Sequence, residues 1–200
     1  MKSISKLAWG LAAFGASGLL TAPSADANNF REKNKTVAVA SSGMKVTPTR
    51  DWNSLKIKPG KKAEVWTLDG EQLNDVTFYG GIAAGQPLIR ERSKKRKPLP
   101  KFTRETLLVE IPELLEGTYR TEKGIASFAV TGTTADRFLG QEGIRFTYEY
   151  VDADNLPRKG EARAALIKGL LYMATFDAPR LHYFDGTLPA FRQLVDGATL

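Results

Sequence analysis

The stretch GEARAALIKGLLYMATF, residues 160–176, decides how the rest of the chain is read. Two apolar alternations, Gly160 to Ile167 and Leu170 to Phe176, flank the pair Lys168-Gly169. A glycine-containing two-residue link between such runs predicts a tight antiparallel hairpin. That turn sets Ile167 opposite Leu170 and Arg163 opposite Ala174. Upstream, Ser127 to Thr133 and Ile144 to Val151 also read as strands, joined by Phe138 to Gly143, so the late chain is a meander. If the turn before Gly160 centres on Asn155, Glu149 lies opposite Glu161.

With that register, one sheet face carries Ile144, Phe146, Tyr148, Ala162, Ala164, Leu166, Leu171 and Met173, and is core. The other carries Arg145, Thr147, Glu149, Glu161, Arg163, Tyr172, Ala174 and Phe176. Leu170 to Phe176 is apolar on both faces, which calls for cover on both sides. Two helices are available. One starts at Pro112, a residue suited to the first helical position, and ends at Gly124. The other runs from Leu188 to Ala198 behind a Thr187 cap, with Leu188, Phe191, Leu194, Val195 and Ala198 along one side. The fold expected is α+β, an antiparallel sheet with helices packed on both faces.

Earlier in the chain, Glu64 to Leu68 and Val76 to Tyr79 read as strands, the second stopping at Gly80-Gly81, and Trp52 as a core anchor. Residues 28–43 are polar and aperiodic, which predicts a flexible arm ahead of one domain over 44–200. Residues 1–27 have the form of a secretory signal peptide: Lys2 and Lys6, the uncharged stretch Leu7 to Leu20, Pro23, then Ala25-Asp26-Ala27. Cleavage before Asn28 is expected. The apolar stretch is short of the about 20 residues a membrane span needs, so the mature chain is expected to have no transmembrane segment. The chain has no cysteine, which removes lipoprotein anchoring, disulfides and thiolate chemistry. Export to the periplasm, or onward to the medium, follows.

The chain carries a formal charge of +7, and Arg90 to Arg104 holds eight cations against Glu91 alone. Flanked by Pro87 and broken by Pro98 and Pro100, this segment reads as an exposed basic loop. Arg92, Lys94, Lys95, Arg96 and Lys97 are therefore candidate contacts for an anionic lipid, lipopolysaccharide phosphates or an acidic envelope protein; a solvated loop is the plainer alternative. Nucleic acid is not expected, because no aromatic residue between Arg90 and Lys101 offers a stacking platform and export removes the opportunity.

Catalytic signals are sparse. Arg145, Glu149, Glu161 and Arg163 form a second candidate cluster. Two carboxylates opposed on paired strands can raise one pKa for acid–base work, whereas the arginines can equally make a structural ion-pair network. His182 is the only histidine and has no nucleophile elbow, so it is expected to be packed or hydrogen-bonded. No metal is expected from one histidine and no cysteine, and no cofactor motif is present. Asp152-Ala153-Asp154-Asn155 fails as a calcium loop because Leu156 and Pro157 follow. Gly80-Gly81 needs no more than a turn or bulge.

Val46-Thr47-Pro48, Asp51-Trp52-Asn53 and Trp66-Thr67-Leu68-Asp69-Gly70 resemble a family of uncharacterised exported bacterial proteins. Arg145-Phe146-Thr147-Tyr148, Gly160-Glu161-Ala162-Arg163 and His182-Tyr183-Phe184-Asp185 extend the resemblance over most of the mature chain. More loosely, the meander closed by a helix resembles the PsbP-like α/β/α sandwich of photosystem II accessory proteins and DcrB-type envelope proteins. The resemblance implies a non-enzymatic binding or accessory role. The competing expectation is a small-molecule-binding or hydrolytic domain on the Glu149/Glu161 face, which requires an open pocket there.

Overall fold

A computed structural model describes residues 29–200, so the signal-peptide reading lies outside the described residues. In chain order the strands are β1 (Asn29–Arg31), β2 (Val37–Ala38), β3 (Lys45–Val46), β4 (Trp52–Ser54), β5 (Ala63–Thr67) and β6 (Asp75–Ile82). Helix α1 (Ile111–Glu122) follows, then β7 (Ser127–Phe138), β8 (Gln141–Val151), β9 (Pro157–Ile167), β10 (Leu170–Pro179) and α2 (Tyr183–Asp196). An eight-stranded antiparallel sheet runs in the order β1-β4-β5-β6-β10-β9-β8-β7, and β2 pairs with β3 separately. After β6 the chain crosses through α1 to the far edge and meanders back, so that its last strand closes against β6 in the middle of the sheet.

The hairpin at Lys168-Gly169 has the expected register, Ile167 opposite Leu170 and Arg163 opposite Ala174. Its two turn residues have φ of 51° and 75°, the left-handed pair that matches strand twist. Leu139 and Gly140 repeat this geometry at 55° and 74°. A second tight turn therefore replaces the longer Phe138–Gly143 connection expected from sequence, with Leu139 buried.

Alternate residues of β10 belong to different cores. Leu171 and Met173 cluster with Ile111, Leu114, Leu115 and Tyr119 of α1. Tyr172, Ala174 and Phe176 cluster with Phe184, Phe191, Leu194 and Val195 of α2, together with Trp52 and Trp66. Helix α1 begins as expected, with a proline in its first turn. Helix α2 begins at Tyr183, four residues before the predicted cap, and Thr187 is buried inside it. The added turn stacks Phe184 on Phe176, ring centroids 5.4 Å apart, a burial that the helical period of the following residues does not announce.

Two further expectations are corrected. Strand β6 continues through Gly80-Gly81 to Ile82, because Gly81 (φ 74°) forms a bulge where Leu171 faces Ile82 and Tyr172 faces Gly80. Residues 29–43, the described part of the expected arm, are not free: β1 pairs with β4, and Val39 and Ala40 are fully buried. What holds this polar stretch is a tertiary contact. Glu64 on β5 is 2% exposed and accepts hydrogen bonds from Arg31 (2.8 Å), the Ala40 amide (3.2 Å), Ser54 (3.1 Å), Lys58 (3.0 Å) and the Trp66 indole (2.9 Å). Among the described residues no helix is long and apolar enough to cross a membrane.

Candidate functional site

The basic loop leaves β6 and is tied down at its base. The Arg90 amide donates to the Pro59 carbonyl (2.8 Å), the Leu99 amide to Glu91 (3.2 Å), and the Lys97 amide to the Ser93 carbonyl (2.9 Å). Leu88, Leu99 and Phe102 are buried. Lys94, Lys95, Arg96 and Lys97 are thereby presented on a fixed tip, exposed and without an ion pair among the described residues. Arg92 behaves differently, since its guanidinium lies 2.7 Å from Glu122 of α1. The Arg90–Pro59 bond also brings a basic stretch that the sequence keeps apart. Lys61 and Lys62 join Arg90 and Lys94 around a cavity of about 360 Å³ that Leu88 and Ile89 also line. Lys62 donates to the Ser41 carbonyl (2.7 Å).

The second predicted cluster does not assemble as expected. Glu149 lies opposite Lys159, and Glu161 opposite Thr147. The register differs by two residues because Asp152 caps the turn: its carboxylate accepts the amides of Asp154 (3.0 Å) and Leu156 (2.9 Å). A two-residue shift preserves the faces, so the division of side chains holds while the pairing changes. Glu161, 0% exposed, is gripped by Arg192 of α2 through two bonds of 2.9 and 2.6 Å. Arg163 binds Asp196 of α2 and lies 3.4 Å from Asp136. Glu149 faces Lys159 (3.6 Å) and Arg180 (4.0 Å), and Arg145 has no ion pair among the described residues. Helix α2 thus covers the face on which an open pocket was expected, and Glu161, through Arg192, serves its attachment. His182 is exposed, with φ of 71° and an edge contact to Tyr183, rather than packed or hydrogen-bonded.

An opposed carboxylate pair does exist, on other strands. Asp75 of β6 lies directly across from Asp177 of β10. Asp177 is fully buried and accepts hydrogen bonds from Tyr148 (3.0 Å) and Tyr119. Lys123, just after α1, sits 3.7 Å from Asp177 and 3.9 Å from Asp75, with its ammonium 4.0 Å from the centre of the Tyr119 ring. Gly160 makes the Tyr148 contact feasible. The tyrosine ring lies across this glycine, and a β-carbon there would come within 2.1 Å of the ring.

Burial pushes the Asp75 carboxyl up to about 7, with the Lys123 charge opposing and the Asp177 charge reinforcing the shift. For Lys123 the two aspartates outweigh burial and hold its ammonium above the ordinary lysine range. Burial likewise lifts the hydroxyls of Tyr79, Tyr119, Tyr148 and Tyr150, so all four stay protonated donors. A cavity of about 280 Å³ opens at this end, lined by Glu71, Asp75, Lys123, Tyr150, Asp152 and Arg158 among others. Sequence reasoning missed both aspartates because each lies one residue outside the apolar run that delimits its strand, before Val76 and after Phe176.

No protein-family model matches the chain, and no curated protein does. Among solved structures it is similar to CyanoP, the cyanobacterial PsbP of Synechocystis, at 13% identity over 95% of this chain and 98% of that one, with a TM-score of 0.49. The Ran-binding protein Mog1p of Saccharomyces cerevisiae is 9% identical over 84% of this chain and 95% of its own, with a TM-score of 0.47. LpqN, involved in cell envelope biogenesis of Mycobacterium tuberculosis, is 9% identical over 86% and 91%, with a TM-score of 0.36.

Proposed function

We propose that this chain is a non-enzymatic exported binding or accessory protein, a PsbP-like sandwich with one helix on each face of the sheet, that contacts an anionic envelope surface or partner. The observation that carries the reading is the fixed tip Lys94-Lys95-Arg96-Lys97, free of ion pairs among the described residues and extended by Lys61, Lys62 and Arg90. Most cations elsewhere on the sheet and helices, such as Arg163 and Arg192, are matched with carboxylates. A tip held by backbone bonds loses little conformational freedom on binding, which favours contact over solvation alone. The sandwich is supported by the division of β10 between two cores, one with each helix. The competing small-molecule or hydrolytic reading on the Glu149/Glu161 face loses its pocket to α2.

The test is co-sedimentation with phosphatidylglycerol-containing vesicles at low and high salt, using the wild type and a variant with Lys94, Lys95, Arg96 and Lys97 all changed to Ser. At about 1 kcal/mol per cation near an anionic surface, the variant binds up to about a thousand-fold more weakly at low salt. The wild type releases as salt shortens the Debye length. Equal binding of the two proteins removes the tip from the function.

A further inference from the structure

We propose that the Ile82 end of the sheet docks on an anionic lipid bilayer and inserts Ile57 below the headgroups, with its cations at the depth of the phosphates. The proposal rests on the anionic-surface reading above and chooses a lipid surface over an acidic protein. Ile57 is 88% exposed, more than any other large apolar side chain among the described residues. One exposed apolar residue is ordinary on a protein surface, so its surroundings decide the matter. It stands in Leu55-Lys56-Ile57-Lys58-Pro59-Gly60-Lys61-Lys62, the link between β4 and β5.

That link is braced. The Leu55 amide donates to the Val65 carbonyl (2.8 Å), the Arg90 amide to the Pro59 carbonyl (2.8 Å), and the Gly80 amide to the Lys62 carbonyl (2.8 Å). Gly60 packs so closely on Ile89 and Arg90 that a β-carbon there would lie 3.2 Å from their backbone. Ile57 is thereby presented beside the base of the basic segment by a loop that has little freedom left to lose.

Cations surround this end. Two cavities flank the Ile82–Ala84 exit of β6: the 360 Å³ one already described, and one of about 580 Å³ lined by Arg104 and Lys168 among others. Together they carry Lys61, Lys62, Arg90, Lys94, Arg104 and Lys168 against Glu91 alone. Lys168 belongs here because Leu171 pairs with Ile82, which sets the β9–β10 turn at the same end. Lys61, Arg90, Lys94 and Lys168 have no ion pair among the described residues. At the opposite end the β5–β6 turn carries Asp69 and Glu71 and the β8–β9 turn Asp152 and Asp154, while Arg158 and Arg180 face carboxylates. A charge difference along the strands orients the molecule end-on to an anionic plane.

The residue types separate lipid from protein. Protein interface cores are built on aromatic residues and are depleted in lysine. Here four of the six cations are lysines, and Phe102, the aromatic residue of the second cavity, is buried. A lysine- and arginine-rich surface around an apolar side chain is the form of an interfacial membrane contact. Leu107 and Val109, 61% and 65% exposed, flank Leu108, which lines a cavity with Arg137 and Leu166 at this end and adds apolar surface to it.

The experiment uses the mature chain, phosphatidylglycerol-containing vesicles and two substitutions at a position too exposed to disturb the fold. Ile57→Ser should bind about tenfold more weakly than the wild type, at low and moderate salt alike, because apolar burial is not screened. The indole of Ile57→Trp should be quenched by spin labels on the acyl chains, while the buried Trp52 and Trp66 of the wild type should not. The proposal is overturned if Ile57→Ser binds as the wild type does, if its deficit vanishes with salt, or if the new indole is not quenched. Binding to soluble polyglutamate as tight as to vesicles, without quenching, assigns the end to an acidic polypeptide and also overturns it. The variant with Lys94, Lys95, Arg96 and Lys97 changed to Ser keeps Ile57. A loss in that variant with none in Ile57→Ser therefore removes the insertion and leaves the anionic-surface reading standing, whereas wild-type binding by both removes the two together.

Discussion

Glu64→Gln tests what holds the first strands to the sheet. Burial alone would push this carboxyl up. The hydrogen bonds from Trp66, Lys58 and Arg31 more than reverse that and hold it at about 2, against 4.5 for an ordinary glutamate. A depressed carboxylate stabilises the fold fully above its unfolded value, and the contribution disappears as pH falls from 4.5 towards 2. At 1.36 kcal/mol per unit the difference is about 3 kcal/mol. Glutamine keeps the shape but leaves Arg31 and Lys58 without a counter-ion. Their side chains are 22% and 41% exposed and can re-solvate, so the cost at neutral pH stays near about 3 kcal/mol rather than rising to the upper range for an orphaned buried charge. Urea unfolding followed by tryptophan fluorescence and far-UV circular dichroism between pH 7 and 2 measures both quantities. The gap between wild type and variant should be about 3 kcal/mol at pH 7 and close as pH falls to 2. Limited proteolysis at pH 7 should cut residues 29–46 faster in the variant. A gap that is constant with pH, or no gap at all, refutes the assignment.

Two other substitutions probe the packing around the sites. Arg192→Met leaves Glu161 fully buried without its partner and should cost about 3–5 kcal/mol in denaturant unfolding, with α2 the first element to lose amide-exchange protection. Gly160→Ala drives a β-carbon into the rigid Tyr148 ring, and should cost about 3 kcal/mol and shift the Tyr148 ring resonances, since the hydroxyl can no longer reach Asp177.

The late meander was legible because its signals are local. Lys168-Gly169 sets its own turn, and alternation fixes which face each neighbour takes. The register of β8 on β9 was not legible, because it depends on the Asp152 carboxylate capping the connecting loop, which moves the centre of the turn one residue back from Asn155 to Asp154 and so the pairing by two. Residues 29–43 look like a tail because they are polar. Their order comes from Glu64, more than 20 positions away from Ala40 and more than 30 from Arg31. The chemistry of opposed carboxylates was anticipated on Glu149 and Glu161 and is found on Asp75 and Asp177. An aspartate that ends an apolar run reads as a strand boundary, and only the helix that covers it makes it part of the core. The free basic tip was legible as charge, but its union with Lys61 and Lys62 required the Arg90–Pro59 bond.

The basic cavity and the buried Asp75–Asp177 pair hang on β6, at opposite ends. Asp75 opens the strand, and Ile82, which lines the basic cavity, closes it. Seven residues at about 3.3 Å each separate them by roughly 23 Å. The strand between is buried throughout, with Val76 and Phe78 in one core and Tyr79 in the other. Cores packed this densely do not deform continuously, so coupling between the ends would need an element with two discrete arrangements. The bulge at Gly81 sits next to the basic cavity, where the ladder to β10 shifts register, and leaves the Asp75 end in regular pairing. The geometry thus gives the two ends separate supports: a tip fixed by loop hydrogen bonds at one, and a carboxyl pair fixed by α1 and β8 at the other. A surface contact and a buried carboxyl pair built this way act independently, so a change at the tip should alter binding without altering how stability depends on pH at the pair.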